Sequence, residues 1–281
     1  MIQGIYGIFS FLFSAASRAF TNLAWLLGPF LLLALAMHFA ASSLQKSLVM
    51  LLGRRAYLAI LGWLSVSLHE IGHAVMCLVF FHRIKKIRLF DPDPAGKRLG
   101  FVQHSYNPGN PFQTAGNLFI ALGPVFAGTA LIYLAARFVL PQNIFSPLAA
   151  FSISPEAFAS PAGAWGLAGD GAKALAGFLA RLFTVDNLAS WRLWAFLYLA
   201  LAGGGAASLS LADIRNGLAG LFMLALLVFL VTAFCMAWGL PDSFFAQAGR
   251  TLGSACTLLF VALCLNFLAA LVLLGLRIIW Q

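Results

Sequence analysis

The residues with the clearest chemical meaning are His69, Glu70 and His73, which form a His-Glu-x-x-His motif. On a helix the two histidines lie four residues apart and therefore on one face, where both imidazoles can bind the same zinc ion. The glutamate follows the first histidine and can take a proton from a water molecule at the metal. This spacing predicts a metal centre with a general base beside it.

The motif lies within a strongly apolar segment, residues 56–81, whose one acidic side chain is Glu70. The segment is long enough to cross the hydrocarbon core of a bilayer. An ionisable side chain at that depth costs roughly 3 kcal/mol by insertion scales and commonly marks a functional site. We therefore expect the metal centre to lie inside the membrane.

The composition is that of an integral membrane protein. Of the 281 residues, 62% are hydrophobic and 9% are charged, and the net charge is +9. The basic residues stand at the ends of apolar segments and in one loop, without a stripe of polar recognition residues. We therefore expect no nucleic-acid partner, and we attribute the charge to orientation in the lipid bilayer and contact with it.

The apolar segments predict an all-α polytopic membrane protein with about six transmembrane helices. An interfacial or re-entrant helix over residues 2–16 precedes them. The predicted spans are residues 22–41, 56–81, 115–139, 193–212, 218–238 and 255–276. Between the third and fourth spans, apolar residues at helical spacing predict a helix on the membrane surface.

The chain has four cysteines, Cys77, Cys235, Cys256 and Cys264. They are interpreted as packing residues, and a disulfide between Cys235 and Cys256 is left open.

A basic loop follows the motif segment. Residues 84–90 and 99–104 flank a turn rich in proline and aspartate, so they predict a small β-hairpin. Because this is the most basic loop, we expect it in the cytoplasm, together with the N- and C-termini. The hairpin edge could capture a substrate by strand addition, or the hairpin could rest on lipid headgroups; both interpretations stay open.

A catalytic zinc site needs a third protein ligand. Asp213 is the candidate, because it ends the predicted fourth span between apolar segments and on the same side as the two histidines. The other interpretation is a helix-end aspartate that pairs with Arg215. His38, His82 and His104 are interpreted as packing or loop residues.

Several features together resemble the site-2 protease family of intramembrane zinc metalloproteases. They are the membrane-embedded HEIGH motif, the basic loop after it, a Gly123-Pro124 break in the next span, and the later aspartate. The resemblance covers about residues 56–240. It implies that His69, His73 and Asp213 bind Zn²⁺ and that Glu70 is the catalytic residue that activates water.

The resemblance also implies a function: hydrolysis of a peptide bond in or near the transmembrane segment of a membrane-protein substrate, single-span in form. The compact size and the positive bias towards one compartment predict a bacterial inner membrane. It divides the chain into an N-terminal part (1–55), a metalloprotease-like core (56–240) and a C-terminal transmembrane helix (241–281). The alternative is a non-catalytic membrane scaffold subunit that retains this fold. A metal transporter is disfavoured because the last two spans contain few polar ligands.

Overall fold

The computed structural model describes residues 2–91, 99–151, 153, 157 and 160–279. The hairpin turn predicted near residues 91–96 lies mostly outside the described residues. In chain order, the elements are α1 (Ile2–Leu52), α2 (Arg54–Tyr57), a π-helical turn (Leu58–Gly62), α3 (Trp63–Val79), β1 (Arg83–Arg88), β2 (Phe101–Ser105), α4 (Pro111–Phe138), α5 (Gln142–Ala149), α6 (Pro161–Leu182), α7 (Val185–Leu188), α8 (Trp191–Ala206), α9 (Leu211–Ala237) and α10 (Ser243–Ile279).

Long apolar helices dominate the described part of the chain. Four stretches within it are long and apolar enough to cross a membrane: Tyr6–Leu52, Arg54–Val79, Pro111–Phe138 and Leu211–Ala237. A shorter apolar stretch, Leu259–Ala270, lies within α10. The helical class and the membrane-type composition agree with the sequence prediction, whereas the count of six spans is not confirmed.

The predicted interfacial helix at residues 2–16 is continuous with the first predicted span. Both belong to α1, which contains Pro29 and does not end there. The stretch between them, residues 17–21, includes Ser17, Arg18 and Thr21 but stays helical. Neighbouring helices bury Leu27, Phe30 and Ala34 on one face of α1. A proline is tolerated inside such a helix because the surrounding helices support it.

Helices α8 and α9 follow each other along α4 in one direction and do not form a hairpin. Their contacts move steadily towards the start of α4 as the chain advances. The contacting pairs, in order, are Gly203 with Gly128, Gly217 with Ala121, and Gly220 with Leu118. Asp213 therefore does not end the fourth predicted span. It lies in the first turn of α9, in the middle of the helical bundle.

Helices α1 and α10 also run in the same direction. Ala19 shares a small cluster with Phe245, and further along the chain Met37 contacts Asn266. The start of α1 and the end of α10 therefore lie at opposite ends of the bundle. The expectation that both termini share one side is not supported by this arrangement. The reason is that α8 and α9 form one interrupted path, which removes a crossing from the predicted topology.

The predicted hairpin is present. Strands β1 and β2 are antiparallel, with Arg83 opposite Ser105 and Arg88 opposite Phe101. Most side chains of β1 are exposed. The sheet lies along α3, and Gly100, just before β2, packs directly on Glu70. The hairpin is thus a neighbour of the motif helix over much of its length.

Two smaller predictions concern the cysteines and the region between α4 and α8. All four cysteines are free, so Cys235 and Cys256 form no disulfide. The predicted amphipathic helix corresponds to α6, whose Phe178 and Leu182 are fully buried in the main apolar cluster. That burial shows α6 packed against the other helices through its apolar face.

Candidate metal centre

The structure brings together the three residues that the sequence predicts as metal ligands. The Nε2 atoms of His69 and His73 lie 3.1 Å apart. Asp213 approaches both rings, with Oδ1 3.3 Å from Nε2 of His73 and Oδ2 3.6 Å from Nε2 of His69. The candidate ligand atoms of all three residues lie within 4.8 Å of one another. The aspartate thus reaches the motif although it is remote in sequence.

These separations suit a tetrahedral zinc ion. Zinc binds imidazole nitrogen and carboxylate oxygen at about 2.0–2.2 Å, so adjacent ligand atoms on a tetrahedron lie roughly 3.3 Å apart. The Nε2–Nε2 separation of 3.1 Å and the 3.3 Å from Oδ1 of Asp213 to Nε2 of His73 are close to that value, and the other carboxylate oxygen, Oδ2, lies 3.6 Å from Nε2 of His69. Three protein ligands leave a fourth position open, as in catalytic zinc sites. The donor set and its spacing therefore fit Zn²⁺.

Backbone carbonyls orient both histidine rings. Nδ1–H of His73 donates to the Ile120 carbonyl at 2.7 Å, and Nδ1–H of His69 donates to the Ala206 carbonyl at 2.9 Å. With the proton held on Nδ1, each Nε2 keeps its lone pair for a metal. The arrangement selects the tautomer that a zinc ligand requires.

The two carbonyls are available because each lacks a helical partner. In a regular helix the Ile120 carbonyl would accept from the residue four positions later, but that residue is Pro124, which has no N–H. Ala206 is the last residue of α8, where carbonyls have no partner within the helix. The Gly123-Pro124 pair was predicted to break the helix. Instead α4 continues through it, and the proline frees a carbonyl.

Two glycines allow α3 and α4 to approach closely enough for this contact. Gly72, in the motif, faces Gly123, and a Cβ on either residue would collide with the backbone of the other. Small residues permit such close packing between membrane helices. The approach brings the Ile120 carbonyl within reach of His73.

Asp213 is held by the cap of its own helix. Its Oδ2 accepts from the Ser210 backbone N–H at 2.7 Å, while its own N–H donates to Oγ of Ser210 at 3.1 Å. This capping box suits a carboxylate in the first turn of a helix. Asp213 thus contacts Ser210 and the two histidines, which favours the ligand interpretation over pairing with Arg215.

Glu70 lies beside the three ligands and lines a cavity. Its side chain is buried, and a Cβ on Gly100 would lie 2.8 Å from its Cγ. The cavity has a volume of about 380 Å³. Its polar lining includes His69, Glu70, Ser65, Ser208 and Ser210. There is room next to the glutamate for water and for a stretch of peptide backbone.

Comparison with protein-family models, curated proteins and solved structures finds no match. The resemblance to the site-2 protease family therefore stays a prediction from the motif and its setting.

His82 and His104 form a separate pair. Their Nδ1 atoms lie 3.0 Å apart, and Nε2–H of His82 donates to the Gln113 carbonyl at 2.8 Å. In the neutral pair, His104 therefore donates to Nδ1 of His82. Burial lowers the pKa of both rings, and the proximity of His82 lowers that of His104 further. The pair joins the hairpin to α4 and takes no part in the candidate metal centre.

The sequence interpretation named the candidate ligands but missed what orients them. Neither the Ile120 nor the Ala206 carbonyl was recognised as part of the site. One signal was present for the first of them: a proline four residues later deprives a helical carbonyl of its usual donor. For Ala206 the signals were the glycine run at 203–205 and the Ser-x-x-Asp spacing of Ser210 and Asp213, which favour a helix end and a new helix start between them.

Proposed function

We propose that this protein is an intramembrane zinc metalloprotease that hydrolyses a peptide bond in or near the transmembrane segment of a membrane-protein substrate. The observation that carries the proposal is the convergence of His69, His73 and Asp213 at zinc-like separations, with Glu70 on the wall of the adjoining cavity. A solely structural zinc site would have four protein ligands and no need of a cavity.

The three candidate ligands and Glu70 have different roles in the proposed reaction. A zinc ion bound by His69, His73 and Asp213 would polarise the scissile carbonyl and make a water molecule more acidic. Glu70 accepts the proton of the attacking water and returns it to the leaving amine. Its burial against Gly100 restricts the carboxylate to few orientations. The backbone carbonyls that hold both imidazoles keep Nε2 directed at the site.

A substrate helix must unwind before its carbonyls can react, because in a helix they are already hydrogen-bonded. The hairpin supplies an alternative partner for the unwound backbone. An extended segment can pair with an edge of the two-stranded sheet, which lies along α3 and meets Glu70 at Gly100. The substrate we propose is therefore a membrane protein, single-span in the simplest case, that presents an extended segment beside the sheet.

The proposed location is a bacterial inner membrane, with the hairpin on the cytoplasmic side. The exposed basic residues of β1 support this orientation under the positive-inside rule. The N-terminal part of α1 lies at the same end of the bundle, since Arg18 pairs with Asp242 just beyond the end of α9. We propose that the N-terminus is cytoplasmic as well.

The decisive experiment measures cleavage and zinc content together. The purified full chain in lipid nanodiscs is incubated with a single-span membrane protein, with and without a zinc chelator. We expect cleavage that the chelator abolishes. Glu70→Gln is expected to keep one zinc per chain and to lose at least about 100-fold in rate, because it removes the general base.

Two results would contradict the proposal. Cleavage that persists in Glu70→Gln would exclude Glu70 from its role. A wild-type protein that holds zinc but cleaves no substrate under either condition would indicate a non-catalytic membrane scaffold.

A further inference from the structure

Residues 207–210 connect α8 to α9 and lead directly to Asp213; we call them the linker. Three of its four N–H groups bond within the α8–α9 segment. Ala207 donates to carbonyls of the last turn of α8, Ser208 donates to Gly205, and Ser210 donates to the Asp213 carboxylate. The remaining N–H, that of Leu209, donates to Nδ1 of His38 at 3.1 Å.

This last bond connects distant parts of the chain. His38 lies on α1, 171 residues before Leu209, and it is partly buried. Leu209 directly precedes Ser210, whose side chain caps α9 and whose N–H binds Asp213. At the other end of the linker, His69 holds the Ala206 carbonyl. Histidine side chains from two different helices thus hold the backbone on both sides of the linker.

We infer that His38 is a positioning residue for the metal centre. Its Nδ1 holds the Leu209 N–H and so sets where α9 begins and where the Asp213 carboxylate lies relative to the two imidazoles. The inference rests on the proposed function, because it assumes that these residues bind zinc. His38 itself is not a ligand: because its Nδ1 accepts the Leu209 N–H, the neutral ring carries its proton on Nε2 and has no lone pair left for a metal.

The physical reason lies in the shortness of the linker. A backbone N–H that loses its acceptor inside a membrane protein is costly to leave unpaired, so the chain moves to find another partner. A change in the backbone at Leu209 is transmitted to Asp213 because the capping box joins the next four residues. A displacement of the carboxylate by even a fraction of an ångström weakens a ligand set built for tetrahedral coordination.

Two substitutions of His38 distinguish the role of its hydrogen-bond acceptor from the role of its aromatic ring. His38→Phe keeps an aromatic ring of similar shape but has no acceptor. His38→Asn loses the ring but places an amide oxygen near the position of Nδ1. If the hydrogen bond to Leu209 is what matters, the asparagine variant keeps the function of His38 and the phenylalanine variant loses it.

A matched control removes different hydrogen bonds of α1. Asn22 donates to Thr232 and to Asp242, at the far end of α9 from the linker. Asn22→Leu is therefore expected to reduce the packing of α1 without changing the position of Leu209.

The experiment measures Zn²⁺ affinity of the full chain in nanodiscs by competition with a chelator, and thermal unfolding of the metal-free proteins. We expect His38→Phe to weaken zinc binding by about 10- to 100-fold, as loss of groups that orient metal ligands typically does. His38→Asn is expected to stay within about threefold of wild type, because a neutral acceptor is retained. Asn22→Leu is expected to bind zinc like wild type.

Each other result overturns the inference. Wild-type affinity in His38→Phe would show that the bond to Leu209 does not position Asp213, while the proposed function would stand. Equal losses in Asn22→Leu and His38→Phe would indicate general loosening of α1. If His38→Phe does not fold, weak zinc binding by folded His38→Asn overturns the inference. Absence of zinc binding in the wild type would remove the proposed function itself.

Discussion

Each of the two candidate ligand histidines uses both ring nitrogens. On His73 and His69, Nδ1 donates to a backbone carbonyl and Nε2 faces the other ligands. A ring held at one nitrogen cannot turn the other away, so the two lone pairs are directed before a metal arrives. Asp213 follows the same rule, because one carboxylate oxygen is held by the Ser210 N–H. Preorganisation of this kind lowers the cost of binding.

At the residue scale, the His82–His104 pair predicts a dependence of stability on pH. Burial lowers the pKa of His82 in the folded protein. The pair therefore contributes fully above the unfolded-state pKa of about 6.5, and the contribution is lost as pH falls through that value towards the folded pKa. We expect the melting temperature of the metal-free protein to fall between pH 7.5 and pH 5.5.

The matching variant is His104→Gln, which keeps a hydrogen-bonding side chain without a titrating ring. Its loss of melting temperature over the same pH interval is expected to be smaller than that of the wild type, as measured by thermal scanning in the presence of a chelator. An equal loss in both proteins would assign the pH dependence to other groups.

At the element scale, α4 supplies the backbone environment of His73. Gly123 lets α3 approach, and Pro124 leaves the Ile120 carbonyl without a helical donor. A glycine–proline pair in a membrane helix commonly suggests a kink or a break. Here the glycine permits close contact with α3, and the proline leaves the Ile120 carbonyl free to accept from His73 at that contact.

This role predicts the effect of Pro124→Ala. The new N–H at position 124 would restore the helical bond to the Ile120 carbonyl and compete with Nδ1–H of His73. We expect zinc affinity to fall by about 10-fold or more, whereas the melting temperature of the metal-free protein should not decrease. Chelator competition and thermal scanning measure the two quantities.

Pro29→Ala is the matched control, because Pro29 is also inside a long helix but lies outside the metal centre. Its zinc affinity is expected to equal that of the wild type. If Pro124→Ala also retains wild-type affinity, the freed carbonyl is not what orients His73.

At the scale of the whole molecule, the interruption between α8 and α9 places a helix start inside the bundle. The N-terminus of a helix carries unpaired N–H groups and a partial positive charge, which favour a carboxylate in its first turn. Asp213 can therefore lie at depth although Arg215 follows it closely. Irregular backbone is tolerated there because it lines a cavity.

The same interruption determines the topology and makes it testable. Since α1 and α10 run in the same direction, we expect the N- and C-termini to lie on opposite sides of the membrane. Compartment-specific reporters fused to each end of the full chain, or protease protection of terminal epitope tags, measure this directly. Both tags on the same side would contradict the parallel arrangement of α1 and α10.

The sequence by itself determined the features that depend on local periodicity. Helical spacing places His69 and His73 on one face with Glu70 beside them, and any helix over that segment gives the same result. Alternation around a proline-rich turn predicts the hairpin, and apolar runs predict the long helices. Asp213 could be selected because acidic residues next to apolar segments are rare in this chain.

Only the tertiary structure decided how these helices are directed and which distant residues contact one another. Hydropathy identifies an apolar helix but carries no information on its direction, so it could not show that α9 continues the path of α8. The Ile120 and Ala206 carbonyls and the His38 bond to Leu209 join residues 47, 137 and 171 positions apart. Such contacts arise where helices distant in the chain pack against each other, and a local pattern can mark one partner, as Pro124 does for Ile120, without showing which residue it meets.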